Sequence, residues 1–147
     1  MKTIIEYIRR MGKARGFGIQ SPWAYAFVTE VIGERWPYYA YDDINSRYPR
    51  RERKRQRLYH RICNFVHGHR MYIADISQPT DVLLCLCRMA ADDGVVVIEN
   101  IHRNSQSRER WEALRDSPEV GITFDLYDFA ICFLDRKIFK QHYKLNF

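Results

Sequence analysis

Asp92-Asp93-Gly94-Val95-Val96-Val97-Ile98-Glu99-Asn100 is the stretch that decides the fold. An acidic turn feeds four consecutive aliphatic residues, and a carboxylate and an amide follow them. A strand with one wet face alternates apolar and polar side chains. An unbroken aliphatic run instead marks a strand covered on both faces, as at the centre of a parallel sheet. Upstream, residues 71–76 (Met-Tyr-Ile-Ala-Asp-Ile) read as a second buried strand ending in an acid, and residues 81–91 read as the helix between the two, with Thr80 as its cap. Downstream, a helix over 105–115 is followed by strands over 121–126 and 129–136. Their two-residue link, Tyr127-Asp128, forces antiparallel pairing. Residues 142–147 alternate in polarity and suggest a short last strand.

The first third of the chain is helical in pattern. Ile4, Ile5, Ile8 and Met11 recur at helical spacing, and Ser21-Pro22 is a strong start signal for a helix over 22–34 with Trp23, Phe27, Val28, Val31 and Ile32 on its apolar face. Residues 38–49 lack a period and read as a connector, with Asp42 and Asp43 able to cap a short turn. From about residue 51 to 66 the helical pattern returns, with Leu58, Ile62, Phe65 and Val66 on one side. Helices first, then strand, helix, strand, helix and a strand pair imply an α/β layer structure with a partly parallel sheet.

The chain has 147 residues, 46% hydrophobic and 14% aromatic, which suits a single domain over 1–147: a mainly helical part to residue 66 and an α/β core from 67 onward. No apolar run approaches the roughly 20 residues of a membrane span. The N-terminus interleaves charge with apolar residues and has no leader-like core, so the chain reads as cytoplasmic. Cys63, Cys85, Cys87 and Cys132 lie in apolar segments and are expected as buried free thiols.

The net charge of +6 is concentrated in one place. Arg47, Arg50, Arg51, Arg53, Lys54, Arg55, Arg57 and Arg61 face a single acid, Glu52, and the rest of the chain is close to neutral. Arg50, Arg51, Arg53, Lys54, Arg55 and Arg57 are therefore candidates for binding an anion, either RNA or an acidic partner, with Tyr48 and Tyr59 available to stack on bases. The same pattern also fits the solvated half of an amphipathic helix. No Ser-His-Asp order, phosphate loop or metalloprotease helix is present. His67-Gly68-His69 with the cysteines could suggest zinc, but Cys85 and Cys87 in a helix are separated by about 200° of rotation and cannot easily face one ion.

Three stretches resemble a known family. Gly16-Phe17-Gly18-Ile19-Gln20-Ser21-Pro22-Trp23-Ala24-Tyr25-Ala26-Phe27, then Tyr38-Tyr39-Ala40-Tyr41-Asp42-Asp43-Ile44, then the run from Val95 through Val97-Ile98-Glu99-Asn100-Ile101-His102 to the tail Lys140-Gln141-His142-Tyr143-Lys144-Leu145-Asn146-Phe147 resemble, in order, segments of a Bacteroidetes group of class I S-adenosylmethionine-dependent methyltransferases. The resemblance covers about two thirds of the chain and implies a reduced Rossmann-like sheet, partly parallel, with an antiparallel C-terminal strand pair.

The resemblance has a gap where the cofactor belongs. Such methyltransferases cradle the nucleoside on an acidic-glycine turn after their first strand. Between Ile44 and Val95 the only glycines here are Gly68 and Gly94, and neither follows a strand and precedes a helix. Strand 71–76 matches either the family's first strand or its fourth, and the spacing from Asp75 to Glu99 fits the fourth better. Under either alignment much of the cofactor half-sheet is missing. The expectation is a methyltransferase-like binding or scaffold protein without a cofactor, with a second copy or a protein partner covering an exposed sheet edge. The alternatives are an active enzyme that holds S-adenosylmethionine differently and an anion binder acting through residues 47–61. In related O-methyltransferases, acids at these strand ends hold a divalent cation, a role that would fall to Asp75, Glu99 and Asn100. His102 is the candidate general base.

Overall fold

A computed structural model describes residues 4–10, 18–67, 70–90, 93–135 and 140–147. Its elements are α1 (Ile4–Arg9), α2 (Pro22–Ala26, continuing as a π-helical segment over Phe27–Ile32), α3 (Ala40–Arg47), α4 (Arg50–Phe65), β1 (Met71–Asp75), α5 (Thr80–Ala90), β2 (Val95–Glu99), α6 (Ser105–Asp116), β3 (Thr123–Asp125), β4 (Phe129–Phe133) and β5 (His142–Lys144). The protein is α/β, with one mixed five-stranded sheet in the order β1-β2-β4-β3-β5.

The aliphatic run sits where its composition requires. Val95 and Val97 face one core with Phe27, Val28, Val31, Leu58 and Ile62 of the N-terminal helices, and Val96 and Ile98 face another with Leu83, Cys87, Trp111 and Leu114 of α5 and α6. Helices therefore cover both faces of β2, and its four aliphatic residues are fully buried. β1 lies parallel to β2, pairing Asp75 with Glu99, while β4 lies antiparallel on the other side and pairs Phe129 with Glu99. β3 and β4 form the expected hairpin, and β5 adds parallel to β3. Gly121 lets this hairpin close tightly: its amide donates to the Phe133 carbonyl at 2.9 Å, the same oxygen that a Cβ there would meet at 2.9 Å.

The Ser21 hydroxyl caps α2 by accepting from the Ala24 amide at 3.3 Å. The helix then widens, and the Gly33 amide reaches back five residues to the Val28 carbonyl at 2.8 Å. α6 carries a cap of the same kind, the Asn104 carboxamide accepting from the Ser107 amide at 2.7 Å.

Several expectations need correction. Residues 38–49 are not a connector, since eight of them form α3. Only Tyr41 of α3 is buried, so no apolar period marks it; its two acids lie in the first turn, where the helix dipole favours them, and Arg47 pairs with Asp43 at 3.0 Å one turn away. β1 is half-buried and not a core strand, because it forms an edge of the sheet and Ile73 is 49% exposed. The cysteines are free thiols, but only Cys87 and Cys132 are buried. Cys85 is exposed, as the 200° rotation away from Cys87 dictates. Ile4, Ile5 and Ile8 of α1 also face outward, and Met11 falls outside the described residues. No helix among the described residues is long and apolar enough to cross a membrane.

Candidate functional site

β1, β2 and β3 run in the same direction, and each ends in an acid: Asp75, Glu99 and Asp125. In open α/β sheets this carboxyl edge is where ligands bind. Here each acid is already engaged by the protein's own donors. Asp75 Oδ1 accepts from the Ser77 amide at 2.8 Å, and its Oδ2 accepts from the Asn100 carboxamide and from Arg103 at 3.0 Å. Burial alone would raise the Asp75 pKa, but these hydrogen bonds and the Arg103 charge outweigh it and bring the group to about 2. Glu99 accepts from the Tyr59 hydroxyl at 2.6 Å, with Arg55 Nε at 3.7 Å. Burial first, and then this hydrogen bond, push the Tyr59 phenol far above its ordinary value.

Asp125 is the most deeply placed of the three, with no exposure. Arg10 donates to its Oδ1 at 2.7 Å, and to the backbone oxygens of Asp125 at 2.9 Å and Leu145 at 3.2 Å, which ties the chain after α1 to the ends of β3 and β5. His102 Nε2 lies 2.8 Å from Oδ2. An ionised carboxylate can only accept, so Nε2 carries the proton of this hydrogen bond. The hydrogen bonds from His102 and Arg10 overcome the effect of burial and hold Asp125 well below the usual carboxylate range.

The hairpin turn is built onto the same node. Tyr127 has φ of 76°, in the left-handed region that a tyrosine rarely adopts. Its amide donates to Asp125 Oδ1 at 2.8 Å, its ring stacks on His102 with centroids 5.0 Å apart, and Arg10 lies over the same ring at 5.3 Å. Asn100, at φ of 63°, donates its amide to the Asp128 carbonyl at 2.6 Å. The surroundings over-determine both conformations.

Asp75 and Asn100 are therefore joined, whereas Glu99 is paired with Tyr59 and Arg55 of α4 and His102 with Asp125. Among the described residues no group of three or more acids, histidines or cysteines is arranged to hold a metal ion. His69 of the zinc alternative lies outside the described residues. The sequence reading missed Arg10 and Asp125, and it offered Tyr59 for stacking on bases where the structure turns its hydroxyl to Glu99; for Asp125 the available signal was the third strand ending in an acid, in line with the other two.

The anion-binding candidates turn to different partners. Arg50 and Arg51 are exposed at the start of α4. Arg53 donates to the Tyr48 carbonyl at 2.9 Å and Arg55 turns to Glu99, while Arg57 donates to Asn45 Oδ1 at 2.6 Å and Lys54 lies over the Phe147 ring at 4.3 Å.

One titrating group lies behind the node. His142 on β5 has Nδ1 2.6 Å from the Thr123 hydroxyl and a buried Nε2 without a partner among the described residues. The charges of Arg115, Lys144 and Arg10 disfavour a proton on it, and that of Asp125 favours one. Burial first, then the Arg115 charge, lower its pKa to about 4. Because the unfolded histidine takes its proton near 6.5, stability falls as the pH drops from about 6.5 towards 4. After allowance for screening at this half-buried position, we expect a loss of about 1 kcal/mol over that window. His142→Gln should flatten that part of a urea-stability profile, and an unchanged slope would mean that the ring protonates in the folded state.

The chain finds no match among protein-family models, curated proteins or solved structures.

Proposed function

We propose that the chain is a methyltransferase-like α/β protein that has lost S-adenosylmethionine binding and acts as a non-catalytic binding protein. The observation that carries this reading is the closed carboxyl edge. Arg103, Asn100 and the Ser77 amide occupy both oxygens of Asp75, Tyr59 and Arg55 close over Glu99, and Arg10 and His102 enclose Asp125. Two further observations support it. β1 is an edge strand, with no strand beyond it among the described residues on which a nucleoside cradle would be built. The turn that follows β1, Ile76-Ser77-Gln78-Pro79, contains no glycine, and Arg110 pins it through the Ser77 and Gln78 carbonyls. Asp75 and Glu99 stand opposite each other on parallel strands joined through α5, an arrangement consistent with the fourth-strand alignment.

Thermal unfolding with millimolar S-adenosylmethionine and S-adenosylhomocysteine tests the proposal. A ligand at about 100 times its dissociation constant adds roughly 2.7 kcal/mol, several degrees of Tm for a domain of this size. We expect no shift. A saturable rise with either nucleoside overturns the proposal in favour of an enzyme with a differently built cofactor site.

A further inference from the structure

We propose that the cleft bounded by the end of the π-helical segment, α4 and residues 146–147 is a binding site for a small phosphate-bearing ligand. Its volume, about 510 Å³, falls within the range of small-molecule sites, and Arg35, Lys54, Arg57 and Arg61 line it together with Tyr41 and Phe147. Positions 54, 57 and 61 are three and four residues apart and so share one side of α4, and Arg35 joins them from beyond the end of the preceding helix. The cleft therefore selects three members of the basic run and adds a cation from outside it.

No acidic side chain among the described residues forms an ion pair with these charges. The one acidic side chain among the described lining residues, Glu34, turns its Oε1 onto the backbone amides of Arg35 at 2.7 Å and Trp36 at 2.8 Å. Arg61 is the deepest, 9% exposed, and donates only to neutral oxygens: the Val31 carbonyl at 2.6 Å, the Ile32 carbonyl at 3.2 Å and the Tyr41 hydroxyl at 2.9 Å. Those oxygens orient the guanidinium without cancelling its charge. A second guanidinium, that of Arg57, has a buried Nε with no acceptor among the described residues. Burial, and then the charges of Arg61 and Arg35, lower the pKa of Lys54, in keeping with a positive potential in the cleft. An oxyanion entering here would complete hydrogen bonds that are stronger when charge-assisted and would neutralise a buried cation.

Depth argues for a small ligand over a polymer. A nucleic-acid backbone would meet the outward Arg50 and Arg51, whereas Arg57 and Arg61 are recessed. The aromatic walls are already occupied, Tyr41 by Arg57 at 5.1 Å and Phe147 by Lys54, so recognition rests on the oxyanion and not on a stacked base. Inorganic pyrophosphate carries that chemistry in full.

Titration calorimetry of the full chain with pyrophosphate at constant ionic strength tests the site. Expected are one saturable site, at least tenfold weaker binding in Arg35→Ala and in Lys54→Ala, and unchanged binding in Arg50→Ala/Arg51→Ala. Arg35 is exposed and Lys54 is only partly covered by the cleft, so their variants should keep the ligand-free Tm. No saturation up to about 10 mM overturns the proposal, as does affinity indifferent to Arg35 and Lys54. A single-stranded RNA oligonucleotide that binds more tightly than pyrophosphate and is lost in Arg50→Ala/Arg51→Ala would move the function to the outer face and overturn it too.

Discussion

Replacing Asp125 by asparagine should destabilise the protein by about 3–5 kcal/mol, the usual cost of leaving one member of a buried ion pair alone. The substitution keeps the shape and removes the charge, so Arg10, 2% exposed, would retain a guanidinium whose remaining carboxylate partner among the described residues is the half-buried Glu6, 3.3 Å away. The amide group would also have to reconcile donors from Arg10, His102 and the Tyr127 backbone with one acceptor oxygen. Urea denaturation followed by circular dichroism reads the effect as a lower midpoint at unchanged slope. In a double-mutant cycle with Arg10→Met, the pair should lose less than the sum of the two single variants, because the second substitution removes the charge that the first one strands. A loss below about 1 kcal/mol in Asp125→Asn would show that the pair carries no such weight. The carboxyl of Asp125 is held below its unfolded value. Its contribution is therefore complete above about pH 4 and disappears as the pH falls through its folded pKa. Asp125→Asn should remove that strongly acidic limb while leaving the histidine-dependent slope above it.

Phe27→Ala should cost about 3–5 kcal/mol as well, through a cavity and not a charge. Its ring is fully buried and meets Phe65 at 5.2 Å, Phe124 at 4.8 Å and Phe133 at 4.9 Å, with Trp23 stacked at 5.8 Å. Those partners come from α4, β3, β4 and its own helix, so the ring fastens the helical part to the sheet. A single unfolding transition at lower midpoint is the expected result, by tryptophan fluorescence and by circular dichroism alike. Two separated transitions would mean that the helices melt on their own.

What could be read from the chain followed from local constraint. The aliphatic run at 95–98 allows only a strand covered on both sides, Ser21-Pro22 allows little but a helix start, and a two-residue link leaves the hairpin no other geometry. α3 was illegible because it buries one tyrosine and is held to α4 by hydrogen bonds from Arg61 to Tyr41 and from Arg57 to Asn45, which no apolar period announces. The π-helical widening at 27–32 was hidden as well, since Phe27, Val28, Val31 and Ile32 satisfy an ordinary helical face equally well. The carboxyl edge was half legible. Asp75, Glu99, Asn100 and His102 were found by their positions at strand ends, but Arg10 follows α1 and Tyr59 sits on α4, and only tertiary packing brings them there. The basic run was visible as charge, and its division between the Glu99 contact, the outer face and the cleft depends on helix rotation and on Arg35, which lies outside it.

Arg10 and Asp125 stand 115 residues apart in the chain. A ribosome adding about 5–20 residues per second delivers the second roughly 6–23 s after the first. Throughout that interval the nascent arginine can turn to Glu6, four residues before it, but not to Asp125, and the Leu145 carbonyl that also receives it is made later still. The contacts that fasten Arg10 to the sheet can therefore form only once β3 and the residues after it have been made, and until then Arg10 remains open to whatever else is present as the polypeptide emerges.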